Sequence, residues 1–119
     1  VYNNLWGGYS SSLLHEVGHG LGLGHANEDG SDYTDYTSYM SAGHRQTNWP
    51  AKSFNAQNHW DLGWYEDRSV SVDPIAAPQL LTIAAFVDYD KTQHGEYVIA
   101  QVGGNLYMQY NRAKGFNRD

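Results

Sequence analysis

The chain has no cysteine. That excludes disulfides and thiolate metal ligands, and it says little about compartment, because cysteine-free secreted proteins are common. Proline is scarce, 3 residues against 13 glycines, which excludes a collagen-like repeat. Lys and Arg number 7 against 13 Asp and Glu, a formal charge of −6. A nucleic-acid binder needs a basic stripe to neutralise phosphates, and no basic run exists here. Apolar stretches are broken by Thr, Asp or Gln well short of the roughly 18 residues that a membrane-spanning helix needs. No signal-peptide pattern opens the chain. Because the first residue is Val1 rather than Met, the expectation is a start inside a larger protein.

What is present points to folded structure. Hydrophobic residues make up 40% of the 119, with 10 Tyr, 4 Trp and 3 Phe, too many large core formers for a disordered tail. The length suits one domain or part of one. Ser10, Ser11 and Ser12 offer N-cap hydroxyls ahead of an apolar-periodic run. Leu14, Val17 and Leu21 then fall on one helical face, with Leu13 joining Val17 at i, i+4. The helix should end near Gly22, where a left-handed residue fits the cap. Residues 26–52 read as an irregular, Tyr-rich loop closed by Trp49-Pro50. Ser53 is placed to cap a second helix running through Leu62, with Gly63 just past its end. Strands are expected near 69–73, 80–87, 96–102 and 106–111, the last two joined by a Gly103-Gly104 turn. The class is α+β, with residues 1–66 around the first helix and 67–119 forming a small antiparallel β segment.

One segment carries the chemistry: His15-Glu16-Val17-Gly18-His19-Gly20-Leu21-Gly22-Leu23-Gly24-His25. His15 and His19 emerge from one helical face one turn apart, a spacing that suits two bonds to a single zinc ion. A helix cannot bring His25 to the same metal, so the chain must turn sharply, and Gly22 permits the turn. Three neutral imidazoles leave a fourth position open, as in a catalytic zinc site. Glu16 stands beside the first ligand without being one. It can take the proton of a zinc-activated water as that water attacks a carbonyl, then hand it to the leaving amine. Gly18 and Gly20 inside the helix each cost about 1 kcal/mol relative to Ala. A close-approaching neighbour backbone, or a metal tying helix and turn together, would account for them. By composition the full HExxHxxGxxH spacing arises by chance in on the order of one in 100,000 chains of this length.

These residues resemble the metzincin zinc-protease signature. The resemblance implies His15, His19 and His25 as zinc ligands, Glu16 as general base, and a downstream Met in a tight turn as an apolar floor under the imidazoles, for which Met40 in Ser38-Tyr39-Met40-Ser41 is the candidate. The segments DYTDYTSYMSAG, KSFNAQNHWDLGWY and NLYMQYNRAKGFN are similar to the gametolysin branch, secreted proteases associated with cell-wall digestion. The likeness runs from about Ser10 to Asn117 and is weakest between Arg68 and Tyr97. It implies a zincin-like C-terminal subdomain, a helix over the stretch from Phe54-Asn55-Ala56 to Leu62-Gly63-Trp64 packed behind the metal site, and a protein or cell-wall glycoprotein substrate outside the cell. Two departures stand out. Some branches place a Tyr two residues after the Met; here Ala42 occupies that place, so the role is empty unless Tyr39 or another Tyr fills it. Only 14 residues precede His15, too few for the substrate-pairing sheet of the family. The chain therefore resembles the C-terminal part of a catalytic domain followed by a β-rich segment.

Other residues take plainer readings. His44, His59 and His94 are expected to be surface or packing histidines. Trp60 and Trp64 read as one buried helix face. Glu28, Asp29, Asp32 and Asp35 match no calcium-loop spacing and read as a solvated acidic loop. The leading expectation is a secreted zinc endopeptidase. The alternative is a non-catalytic fragment that binds zinc, a protein or a glycoprotein.

Overall fold

A computed structural model describes residues 9–27, 30–41 and 52–114. The α+β class holds. The chain forms two compact units that divide between Asn55 and Ala56, not after residue 66 as expected. The division falls earlier because the second helix packs against the last strand, so it belongs with the β-rich part.

In the first unit, helix α1 spans Ser10–Gly20. Its N-cap is Tyr9, with no side-chain cap, so Ser10, Ser11 and Ser12 occupy the first helical turn instead of capping it. The C-terminus follows expectation. Gly22 adopts φ 89°, its amide donates to the His19 carbonyl, and the Leu23 amide reaches back to the Gly18 carbonyl, 3.0 Å in each case. This pair of bonds is a Schellman cap, which satisfies carbonyls that the helix end would otherwise leave bare. The buried positions of α1 are Ser11 and Gly18, whereas Leu13, Leu14, Val17 and Leu21 are exposed, Leu13 at 61%. The helix thus presents its small-residue side to the rest of the unit, and the apolar stripe read from periodicity lies outward.

The rest of this unit is irregular, as expected for the described part of 26–52. Ser38 and Ser53 form an isolated parallel bridge, and the second helix begins three residues later, at Ala56. Asp35 pins the loop together. It accepts from the Thr37 amide at 3.0 Å, from the Thr37 hydroxyl at 2.5 Å and from Asn55 Nδ2 at 2.7 Å. Trp49, Pro50, Ala42, His44, Glu28 and Asp29 lie outside the described residues.

In the second unit, α2 covers Ala56–Asp61. Gly63, at φ 69°, ends it with the same cap as α1: Gly63 donates to the Trp60 carbonyl and Trp64 to the His59 carbonyl. Strands β1 (Ser69–Val72), β4 (Ile99–Val102) and β5 (Leu106–Gln109) form one sheet, while β2 (Thr82–Ile83) pairs with β3 (Glu96–Tyr97). The antiparallel expectation holds only for β4–β5, joined through Gly103 and Gly104, both with positive φ. β1–β4 and β2–β3 run parallel. The long connection after β1 supplies the crossover that a parallel pair requires. The strand expected over 80–87 shortens to β2, and a 3-10 segment, Phe86–Lys91, follows it. Val98 interrupts the run at 96–102, its amide turning to the Arg68 carbonyl at 2.7 Å.

Phe86, Val98 and Ile99 form the core here, with Trp60, Tyr65 and Val87 packed around them. Trp64 lies beyond α2 and is 44% exposed, so Trp60 and Trp64 do not form one buried helix face. Asp88 gathers Arg112 at 2.7 Å, Lys91 and Lys114, which ties the end of the described chain to the 3-10 segment. These cations and hydrogen bonds, led by the bond from Lys114, hold the Asp88 carboxyl below its ordinary pKa.

Candidate metal centre

The Schellman turn at Gly22 reverses the chain just after α1 and returns His25 to the two helical imidazoles. The ligating nitrogens of His15, His19 and His25 all lie within 4.8 Å of one another, close enough to bind one metal ion. The rings of His15 and His25 are nearly parallel, 24° apart with centroids at 5.6 Å. His19 stands edge-on to both, at 88° and 71°. His19 is exposed and the other two are half-buried.

Hydrogen bonding prepares this arrangement. His15 Nδ1 lies 2.7 Å from the Tyr39 carbonyl and His19 Nδ1 lies 3.0 Å from the Leu23 carbonyl. A carbonyl only accepts, so each Nδ1 carries the hydrogen, and in the neutral rings each Nε2 carries a lone pair. Those two Nε2 atoms sit 3.1 Å apart. Two lone pairs repel at that distance unless a proton or a cation lies between them. Two metal–nitrogen bonds of about 2.0–2.1 Å meeting at a tetrahedral angle would set the nitrogens about 3.3 Å apart. The donor set therefore fits a metal, and carbonyl anchors on the far ring nitrogens are the usual way a protein fixes metal-binding imidazoles. Burial, followed by the charges that His19 and His15 can carry, holds the His25 pKa below its ordinary value; Asp32 acts in the opposite sense. A lowered pKa keeps His25 neutral, the form that ligates.

Met40 is fully buried in the turn from Ser38 to Ser41. Its amide meets Ser38 Oγ at 3.1 Å and its carbonyl accepts the Ala26 amide at 2.8 Å, next to the third histidine. A methyl on Gly18 would strike the Met40 sulfur and come within 3.1 Å of Phe54 Cε1. The neighbour that excludes a side chain at Gly18 is thus Met40, a side chain and not a backbone. A methyl on Gly20 would meet nothing within 4 Å, so packing does not account for that glycine.

Glu16 is exposed on α1 and is not one of the three convergent residues. The Tyr39 hydroxyl accepts the Lys52 amide at 3.0 Å, a structural engagement for a residue considered above for a role at the metal. His59 is buried and His94 exposed, the packing and surface roles expected of them. Asp32 and Asp35 join no metal-competent cluster among the described residues. Sequence reasoning missed Tyr33, whose ring packs on His25 with centroids 3.8 Å apart, and missed the Tyr39 and Leu23 carbonyls. Backbone carbonyls leave no mark in a residue pattern, and Tyr33 is one tyrosine among ten. Comparison of the chain with protein-family models, with curated proteins and with solved structures found no match in any of the three.

Proposed function

We propose that the chain carries the catalytic centre of a zinc endopeptidase resembling the gametolysin branch of the metzincins. The observation that supports this best is the convergence of His15, His19 and His25 with two Nδ1 atoms engaged by carbonyls and two Nε2 atoms brought together at 3.1 Å. An all-imidazole donor set suits zinc among several transition metals, and the resemblance of the motif selects zinc. Three protein ligands, one of them exposed, leave room for a reactant at the metal.

Zinc, when bound, supplies a Lewis acid that activates water and polarises a peptide carbonyl. Glu16, one residue from a ligand and open to solvent, takes the proton of the attacking water and passes it to the leaving amine nitrogen. Gly22 holds the reversal that delivers His25. Met40 fills the space under α1 at Gly18 and so keeps the helix seated on the loop. The substrate class, extracellular or cell-wall protein, and secretion of the enzyme follow from the similarity of the Met40 and Trp60–Trp64 segments to the gametolysin branch.

Zinc content and protein hydrolysis measured on one preparation test the proposal. The expected result is one chelatable zinc per chain, hydrolysis lost with the metal, and a Glu16→Gln protein that keeps zinc but turns over at least about 100-fold more slowly. Unchanged hydrolysis by Glu16→Gln would remove the assigned base. A wild-type chain that takes up no zinc would remove the centre itself.

A further inference from the structure

His15 and His19 each have a backbone carbonyl behind the ring, at 2.7 and 3.0 Å. His25 has none among the described residues, although it is the one ligand that lies off the helix. Its ring packs instead against the face of Tyr33, with centroids 3.8 Å apart and planes 35° apart. Tyr33 also lies nearly parallel to His15, at 21° with centroids 6.3 Å apart. One tyrosine therefore walls two of the three imidazoles.

The backbone at Tyr33 is unusual. It sits at φ 65°, one of two non-glycine residues with positive φ among the described residues. A bulky residue stays in that region only when its surroundings over-determine it. Here the Ser41 hydroxyl donates to the Tyr33 carbonyl at 2.6 Å, and Ser41 directly follows Met40. The Met40 turn thus grips the backbone that aims the Tyr33 ring. Glycine or asparagine would hold this conformation with less strain, so the backbone alone does not explain a tyrosine.

We propose that Tyr33 is the positioning residue for the third metal ligand: its ring face, aimed by the Ser41 bond, sets the plane of the His25 imidazole where the carbonyls set those of His15 and His19. This inference rests on the metal-centre reading above. The role belongs to the flat ring and does not require the phenolic hydroxyl.

Zinc affinity, measured by competition with a chromophoric chelator on the purified protein and on Tyr33→Phe, Tyr33→Leu and Tyr33→Gly, tests it. Tyr33→Phe should bind within about threefold of wild type. Tyr33→Leu, which keeps apolar bulk but not the flat face, should lose about 10- to 100-fold, the usual effect of removing a ligand's support. Tyr33→Gly should lose as much despite relieving the backbone. The cobalt(II)-substituted protein gives a second readout, with ligand-field bands shifted in Tyr33→Leu and unshifted in Tyr33→Phe. Wild-type affinity and spectrum in Tyr33→Leu would overturn the inference, as would equal losses in Phe and Leu. If the wild-type protein binds no zinc, the parent reading fails and this one with it; if only the Tyr33 pattern fails, the parent reading stands.

Discussion

Two histidine environments lie in the two units of this chain, built for opposite ends. In the first, three imidazoles converge near the surface, two with their Nδ1 atoms anchored on carbonyls. In the second, His59 is fully buried, its Nδ1 3.0 Å from Gln109 Oε1 and its ring surrounded by Trp64, Tyr65 and Phe86. Both use the same side chain with Nδ1 engaged by an oxygen. The difference is what lies around the ring: another imidazole nitrogen at 3.1 Å for His15 and His19, and the packed rings of Trp64, Tyr65 and Phe86 for His59. A histidine becomes a binding group when its neighbours share its chemistry, and a core group when they are apolar.

The sharpest way to break this comparison is to delete one histidine from each side. His25→Ala should lower zinc affinity by at least about 100-fold, since it removes a ligand outright, while leaving the metal-free protein near wild-type stability. His59→Ala should leave zinc affinity within a few fold and destabilise the second unit by about 2–4 kcal/mol, as large-to-small changes at buried sites do. Zinc titration and denaturant unfolding of the two variants would expose any exchange of roles.

Gly18→Ala is next in size. The added methyl meets the Met40 sulfur and Phe54, and overpacking of this kind costs about 1–3 kcal/mol. Zinc affinity should fall with it, because α1 must lift from the loop that anchors His15. Urea midpoints and zinc titration would record both effects.

Acid should separate the units in the metal-free protein. Burial lowers the His59 pKa, and the Gln109 hydrogen bond only partly opposes this. The folded state then binds fewer protons than the unfolded one below the unfolded pKa of about 6.5, so the contribution of His59 is complete above that pH and declines as pH falls toward the folded value. Burial pushes Asp35 up, but hydrogen bonds from Asn55 and Thr37 outweigh it and the net shift is downward. Its contribution is complete above about pH 4 and is lost only below. Amide resonances around His59 should therefore broaden or shift to unfolded positions at a higher pH than those around Asp35. The reverse order would contradict the burial-based account of His59.

The smallest effect is a gain. Gly20→Ala places a methyl in open space within α1 and should stabilise the metal-free protein by about 1 kcal/mol with zinc affinity unchanged. A thermal melt suffices to check it.

The features legible in the residue pattern are those set by local geometry. His15, His19 and His25 read as one ligand set because helical spacing and a permissive Gly22 settle most of their relative placement. The Gly63 helix end and the Gly103-Gly104 turn are legible for the same reason, since each needs positive φ. The serines mislead because three adjacent hydroxyls offer equivalent caps, whereas the helix already begins at Ser10 with Tyr9 as N-cap. The apolar stripe of α1 misleads because periodicity identifies a face without saying what lies against it. What lies against the opposite side is Met40, which needs the absence of a side chain at Gly18.

Strand β5 makes the same point in the second unit. By hydropathy Leu106 and Met108 should face inward, yet both are about half exposed, while Tyr107 and Gln109 turn to Trp60 and His59. A register shift of one residue reverses every side chain of a strand, so distant partners decide which set is buried. The order of residues was enough to name the three convergent histidines, the place of Glu16 beside them and the glycine turns, because these depend on covalent spacing and backbone freedom over a few positions. Folding had to settle the rest: which carbonyls anchor His15 and His19, that Tyr33 faces His25, which side of α1 Met40 meets and which face of β5 is buried. Each of these pairs residues that approach only once the chain has closed on itself.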